Sequence, residues 1–460
     1  MTDAARTARW ISTTEHEPWR ERGPLPLATP EAMPDVIVDL AREQQVIEGF
    51  GATFNELGWH ALQLLDDAAR DDILRTLFSP GDGASLTLCR MPVGANDFAA
   101  DWYSYDEVEG DFALEHFSIE RDRGSLIPFI RAAKAHQPEL SLWASPWSPP
   151  TWMKVNGHYA GAPGRAIFGV DNGIRPDQLG AEGTDMMRQD EATLDAYARY
   201  FGRFIDAYRE EGIEIGMVMP QNEFSSPQPF PSCTWTPEGL ARFLRHLGPE
   251  MTSRGVDVFI GTLERSDEDL LEPALQDPEA GEHIVGAGFQ WAGKRAVAGA
   301  HSRRKDLRIY QTEQECGDGR NSWVYARYAW SMMRHYLQNG ANAYTYWNIA
   351  LLDGGRSTWG WTQNSLVVVD PESRTHRFTH EFHLLRHLTQ FVRAGARVVE
   401  TVSLSGHDNL LAFRNPDGDV VVIAQNDLAV DASVSFLVGE AVLSVDLPAD
   451  SFNTFVVPAA

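Results

Sequence analysis

Eight short apolar runs separated by segments of helical periodicity leave this chain few folds. They fall at residues 46–52, 85–90, 140–145, 216–219, 256–260, 284–289, 308–311 and 343–347. The runs are nearly continuous rather than alternating, as expected of parallel strands buried on both faces. Between them lie patterns such as Leu194, Tyr197, Phe201, Phe204, Ile205 and Tyr208, whose spacing of three or four residues is that of one helix face. Eight strands alternating with helices predict an α/β fold, a (β/α)8 TIM barrel, over residues 46–388.

After the helical stretch containing Phe382, Leu384, Leu385 and Leu388 the pattern changes to period two. Residues 398–402, 410–414, 419–424, 434–438 and 452–457 read as antiparallel strands, with Asn415-Pro416-Asp417-Gly418 as a turn. A lone sheet needs a second layer over its apolar face. The Pro-rich segment 1–45, in which 36–40 resembles a strand, is the available partner, so residues 1–45 plus 389–460 are expected to form an accessory β-sandwich from both chain ends.

The 39 Lys+Arg against 65 Asp+Glu give a net charge of −26, which repels nucleic-acid backbones and anionic membrane surfaces. No apolar run approaches the ~18 residues of a membrane span, and none supplies the apolar centre of an N-terminal secretory signal. The expectation is therefore a soluble cytoplasmic protein without membrane insertion, a trimmed secreted form being the alternative. Cys89, Cys233 and Cys316 are odd in number and widely spaced, which fits reduced thiols. His376, His380, His383 and His387 lack a metal-ligand frame, so no metal and no cofactor is expected, and a helix lying against the sheet accounts for them. Nothing in the chain specifies an oligomeric state.

In a barrel of this kind chemistry sits in the loops that follow the strands. Six of the eight run ends carry polar or aromatic residues suited to sugars: Asn96-Asp97-Phe98, the stretch from Trp147 to Trp152, Asn222-Glu223, Gln290-Trp291, Glu313 and Trp347-Asn348. Glu223 follows the fourth run, and Thr312-Glu313-Gln314-Glu315 closes the seventh. Strand ends across a closed barrel can face one another, and two carboxyl groups so placed match glycoside hydrolysis. Glu313, which ends the run directly, is preferred to Glu315; residues two apart on a strand point the same way, so periodicity leaves both open.

Gly49-Phe50-Gly51-Ala52, Arg90-Met91-Pro92-Val93, Asn96-Asp97-Phe98, Ala144-Ser145-Pro146-Trp147-Ser148-Pro149-Pro150-Thr151-Trp152-Met153-Lys154, Asn222-Glu223, Thr312-Glu313 and Tyr346-Trp347-Asn348 together resemble glycoside hydrolase family 30, the glucosylceramidase-like retaining β-glycosidases. The resemblance implies Glu223 as general acid/base and Glu313 as nucleophile. It further implies Asp97, Trp147, Asn222, Trp291, Trp347 and Asn364 around the sugar, with Arg90 supporting the carboxylates from below. Gln290 stands where the glucosylceramidases carry His, which bears on the sugar accepted. The implied activity is hydrolysis of β-glucosidic bonds in a small glycoside or oligosaccharide. β-Xylosidase, β-fucosidase or β-1,6-glucanase specificity, or a carbohydrate-binding barrel without turnover, are the alternatives.

Overall fold

The computed structural model describes residues 6–459. All eight apolar runs are strands: Gly49–Thr53, Leu88–Pro92, Ser141–Ser145, Met217–Val218, Asp257–Leu263, Ile284–Gln290, Arg308–Glu313 and Ala343–Leu352. Each pairs in parallel with the next, and the eighth pairs with the first, closing the barrel.

The barrel is filled in layers. At its N-terminal end the Arg308 guanidinium donates to Glu48 and Asp257, forming an ionic plug. Above it Leu88, Trp143, Met217, Phe259 and Tyr310 form an apolar layer. The next inward positions along the second and third strands, two residues on, are Arg90 and Ser145, which begin the polar layer under the site.

The helix Glu191–Glu210 buries Leu194, Tyr197, Phe201, Phe204, Ile205 and Tyr208, and its N-terminus is capped by Asp190, which accepts from the Thr193 N–H. Tyr103 and Tyr105 pin the long loop after the second strand, their hydroxyls donating to buried Asp122 at 2.8 and 2.6 Å. Among the described residues, no helix is long and apolar enough to cross a membrane.

A ten-stranded sheet built from both chain ends packs against the barrel. Val36–Val46 lies between Ala432–Val438 and Arg397–Ser403, and Thr7–Thr14 pairs with Ser451–Val457. Leu25–Pro26 pairs with the N-terminal strand while Ala28 bridges to Val442, so the sheet folds over and joins its own edges. Alternation divides its side chains. Val420, Val422 and Phe455 fill the sandwich interior, whereas Val421, Ile423 and Phe452 join the barrel core. His387, in the helix His380–Thr389, is buried between the hydroxyls of Thr13 and Thr454, each at 2.8 Å, which ties that helix to the sheet.

Several strands lie outside the sequence reading, among them Ala441–Leu447, which pairs antiparallel with Ala432–Val438. Thr7–Thr14 is a strand although the segment reads as polar, because its hydroxyl residues Ser12 and Thr13 are buried and hydrogen-bonded. The eighth barrel strand continues to Leu352 and pairs in parallel with Ser365–Asp370, which forms a hairpin with Thr375–Phe378.

Candidate active site

Arg90 is the foundation of the site. It is fully buried, and its guanidinium lies 4.3, 4.9 and 5.5 Å from the ring centres of Trp147, Trp143 and Trp347. These rings exclude water and attract the cation through their π faces. Its N–H groups donate to Ser145 Oγ at 2.8 Å, Asn222 Oδ1 at 2.7 Å and Glu313 Oε2 at 2.9 Å. Burial pulls its pKa down to about 10, with Glu313 opposing, so the group stays charged at neutral pH.

Glu223 and Glu313 meet over this base. The amide nitrogen of Gln290 lies 3.2 Å from Glu223 Oε1 and 3.2 Å from Glu313 Oε2. The Gln290 carbonyl accepts from the Thr312 hydroxyl at 2.9 Å, which turns the NH2 toward the carboxylates. Gln228 donates to the other Glu223 oxygen at 3.0 Å.

Backbone irregularities aim both glutamates. Glu223 has φ of 51°, in the left-handed region that side chains with a Cβ seldom occupy, and its N–H donates to Thr262 Oγ1 at 2.9 Å. On the seventh strand Tyr310 faces the barrel interior and Ile309 the helices, so strict alternation would turn Glu313 outward. The register slips there: Gln311 pairs with Phe289, but Glu313 pairs with Gln290, leaving Thr312 as an extra residue. This β-bulge turns Glu313 into the site. Glu315 lies elsewhere, held by Lys294 at 2.7 Å and the Tyr328 hydroxyl at 2.6 Å.

Four carboxyl groups, Asp97, Glu223, Glu264 and Glu313, line one cavity of about 370 Å³. Burial raises the pKa of each. Glu313 rises to about 7, with Arg90 opposing and Glu223 adding to the rise. Glu223 is raised despite hydrogen bonds from Gln228 and Gln290. Arg90 touches Glu313 and favours its charged form, whereas the hydrogen bonds to Glu223 come from the neutral amides of Gln228 and Gln290. Such a pair can donate a proton from one member and attack with the other.

Asp97, Trp147, Asn222 and Trp291 line the cavity. Trp347 stacks behind Trp147, with ring centres 5.5 Å apart, and its indole N–H has no partner among the described residues. Asn364 does not reach the cavity. Its side chain is engaged in bracing the 317–321 loop, accepting from the Gly319 and Asn321 N–H groups and donating to Glu381. The neighbouring Gln363 lines the cavity in its place.

Sequence reading missed Glu264, Arg265, Ser226, Gln228, Phe230, Arg165 and Trp361 on the cavity wall. Glu264 directly follows the fifth strand, so the strand-end rule that singled out Glu223 would have found it. Arg165 and Trp361 stand in long loops, and only the folded chain brings the guanidinium to 4.7 Å from the indole ring.

Comparison with known proteins agrees with this fold. Residues 47–392 match the glycosyl hydrolase family 30 TIM-barrel domain, and residues 395–455 the family's β-sandwich domain. Lysosomal acid glucosylceramidase of Mus musculus is 28% identical over 420 residues, covering 85% of this chain and 77% of the mouse protein. Endo-1,6-beta-D-glucanase neg1 of Aspergillus fumigatus is 25% identical over 439 residues, covering 91% and 86%. The crystal structure of SrfJ from Salmonella typhimurium superposes with a TM-score of 0.87 at 23% identity, over 99% of this chain and 100% of SrfJ. The chain belongs to glycosyl hydrolase family 30 and is a glycoside hydrolase.

Proposed function

We propose that this protein is a retaining β-glycosidase that cleaves β-glucosidic bonds in two steps. The observation that carries the reading is the shared contact to Gln290. Two 3.2 Å contacts to one nitrogen keep the nearest Glu223 and Glu313 oxygens within about 6.4 Å of each other. Retaining enzymes hold their carboxyl groups about 5–5.5 Å apart, whereas inverting enzymes leave about 6.5–9.5 Å for a water.

In the first step a Glu313 oxygen attacks the anomeric carbon as its bond to the leaving oxygen breaks. Glu223 passes its proton to that oxygen, and the aglycone departs as an alcohol. In the second step Glu223 takes a proton from water, whose oxygen attacks the same carbon and releases Glu313. Asp97 Oδ1 and the Trp347 N–H, both buried without a partner among the described residues, are available to sugar hydroxyls. This chemistry uses side chains alone.

β-1,6-Glucanase specificity is the second reading, favoured by the fungal endo-1,6-glucanase relatives. Trapping with a 2-fluoro β-glucoside followed by peptide mapping is expected to label Glu313. Glu223→Ala is expected to regain turnover with azide, yielding the β-glycosyl azide. A label on another residue, or an inverted first product by NMR, overturns the retaining assignment. Rates on β-1,6-linked glucans against aryl β-glucosides, β-xylosides and β-fucosides decide the sugar and the linkage.

A further inference from the structure

A third glutamate in the cavity has no part in the two-carboxylate reaction, yet it is built into the turn that carries Glu223. Glu264 is almost wholly buried at the end of the fifth strand. Its Oε1 accepts from the Ser225 N–H at 2.9 Å and from the Ser226 hydroxyl at 2.8 Å. Its Oε2 is buried and has no partner among the described residues. Ser225 and Ser226 belong to the turn in which Glu223 holds its left-handed backbone. The Glu223 N–H is held by Thr262, two residues before Glu264. The conformation of Glu223 is thus set from the fifth strand, across the gap between neighbouring barrel strands.

We infer that Glu264 is a positioning residue for the acid/base Glu223 and does this work as an uncharged carboxylic acid, an inference that rests on the glycosidase reading above. The surroundings favour the uncharged form. Its titratable neighbours are Glu223 and Arg265, the latter at 3.4 Å, and that guanidinium also donates to Glu182 at 2.7 Å. Asp97 and Glu313 lie across the same cavity. Burial, followed by the charge of Glu223, pushes Glu264 up to about 8. Below that pH the neutral acid holds the turn without placing a second negative charge beside Glu223. Such a charge would strengthen the hold of Glu223 on its proton and make it a poorer acid.

The test compares two leaving groups on the sugar that the wild-type protein cleaves best. A 2,4-dinitrophenyl glycoside departs with little protonation, whereas an alkyl glycoside needs the acid. Glu264→Ala is expected to lower kcat/KM on the alkyl glycoside by about 10–100-fold, and on the dinitrophenyl glycoside by no more than about threefold. Glu264→Gln keeps the acceptor and replaces the acid with a neutral isostere. It is expected to stay within about threefold of wild type on both substrates, with the alkaline limb of the pH profile in place. Ser226→Ala, which removes one donor to Oε1, carries the same comparison if Glu264→Ala fails to fold. Equal losses on the two substrates overturn the positioning role. A Glu264→Gln protein as impaired as Glu264→Ala, or with its alkaline limb moved down by about a pH unit, overturns the uncharged state. A wild-type protein inactive on both substrates overturns the glycosidase reading itself.

Discussion

Arg90 and Gln290 control how Glu223 and Glu313 share charge. In the proposed mechanism Glu313 must be ionised to attack, so activity is expected to fall as pH drops through its pKa, which burial raises to about 7. Arg90 opposes that rise, so Arg90→Met is expected to move the acid limb of kcat/KM to higher pH and to lower its maximum about 10²–10³-fold, measured on an aryl glycoside. Gln290 donates to both carboxylates. Gln290→Glu puts a further acid in that position and is expected to cost far more activity than Gln290→Ala, because like charges in contact cannot all ionise. The Glu264 carboxyl makes a prediction about stability as well. Its folded pKa of about 8 lies above the unfolded value of about 4.3, so its contribution is lost as pH rises through that window. Thermal melts should show Glu264→Gln gaining on wild type from pH 5 to pH 8, and a constant difference would contradict the raised pKa. The sequence made Glu223 and Glu313 candidates because each ends an apolar run. It left Glu315 open, since residues two apart share a strand face. A bulge at Thr312 brings Glu313 to the cavity and the Lys294–Glu315 ion pair holds Glu315 elsewhere, and both depend on contacts with neighbouring elements.

The elements were legible wherever burial writes a period into the sequence. All eight barrel strands and the helix Glu191–Glu210 fall on the apolar runs. That helix also illustrates capping. Asp190→Ala removes the acceptor for the Thr193 N–H and is expected to cost about 0.5–2 kcal/mol, read by denaturant melts, with kcat unchanged. Thr7–Thr14 left no such trace, because its buried hydroxyls read as a loop until Arg22 and His387 supply their partners. The hairpin from Ser365 to Phe378 went unread as well, since its pairing continues a strand that had already been counted as complete.

At the scale of the molecule, barrel and sandwich share one apolar interface. Ile11, Val398, Leu411, Phe413, Val421, Ile423 and Phe452 of the sheet belong to the same core as the barrel helices. Calorimetry should therefore give one cooperative transition, and a chain ending at residue 392 should aggregate because it bares the barrel side of that interface. His387 sits in this interface with its pKa pushed down by burial to about 3. Stability should fall as pH drops below its unfolded value of about 6.5, because burial disfavours the charged imidazolium that the unfolded chain forms freely. By itself the sequence determined the barrel, the β character of the tail and the two strand ends bearing Glu223 and Glu313, because periodicity and strand order are local properties of a chain. Tertiary structure alone decided that Gln290 joins the two carboxylates, that Asn364 braces a loop outside the cavity, and that Glu264 holds the turn of Glu223. Each of these depends on distances between residues far apart in sequence, and those distances exist only once the barrel has closed.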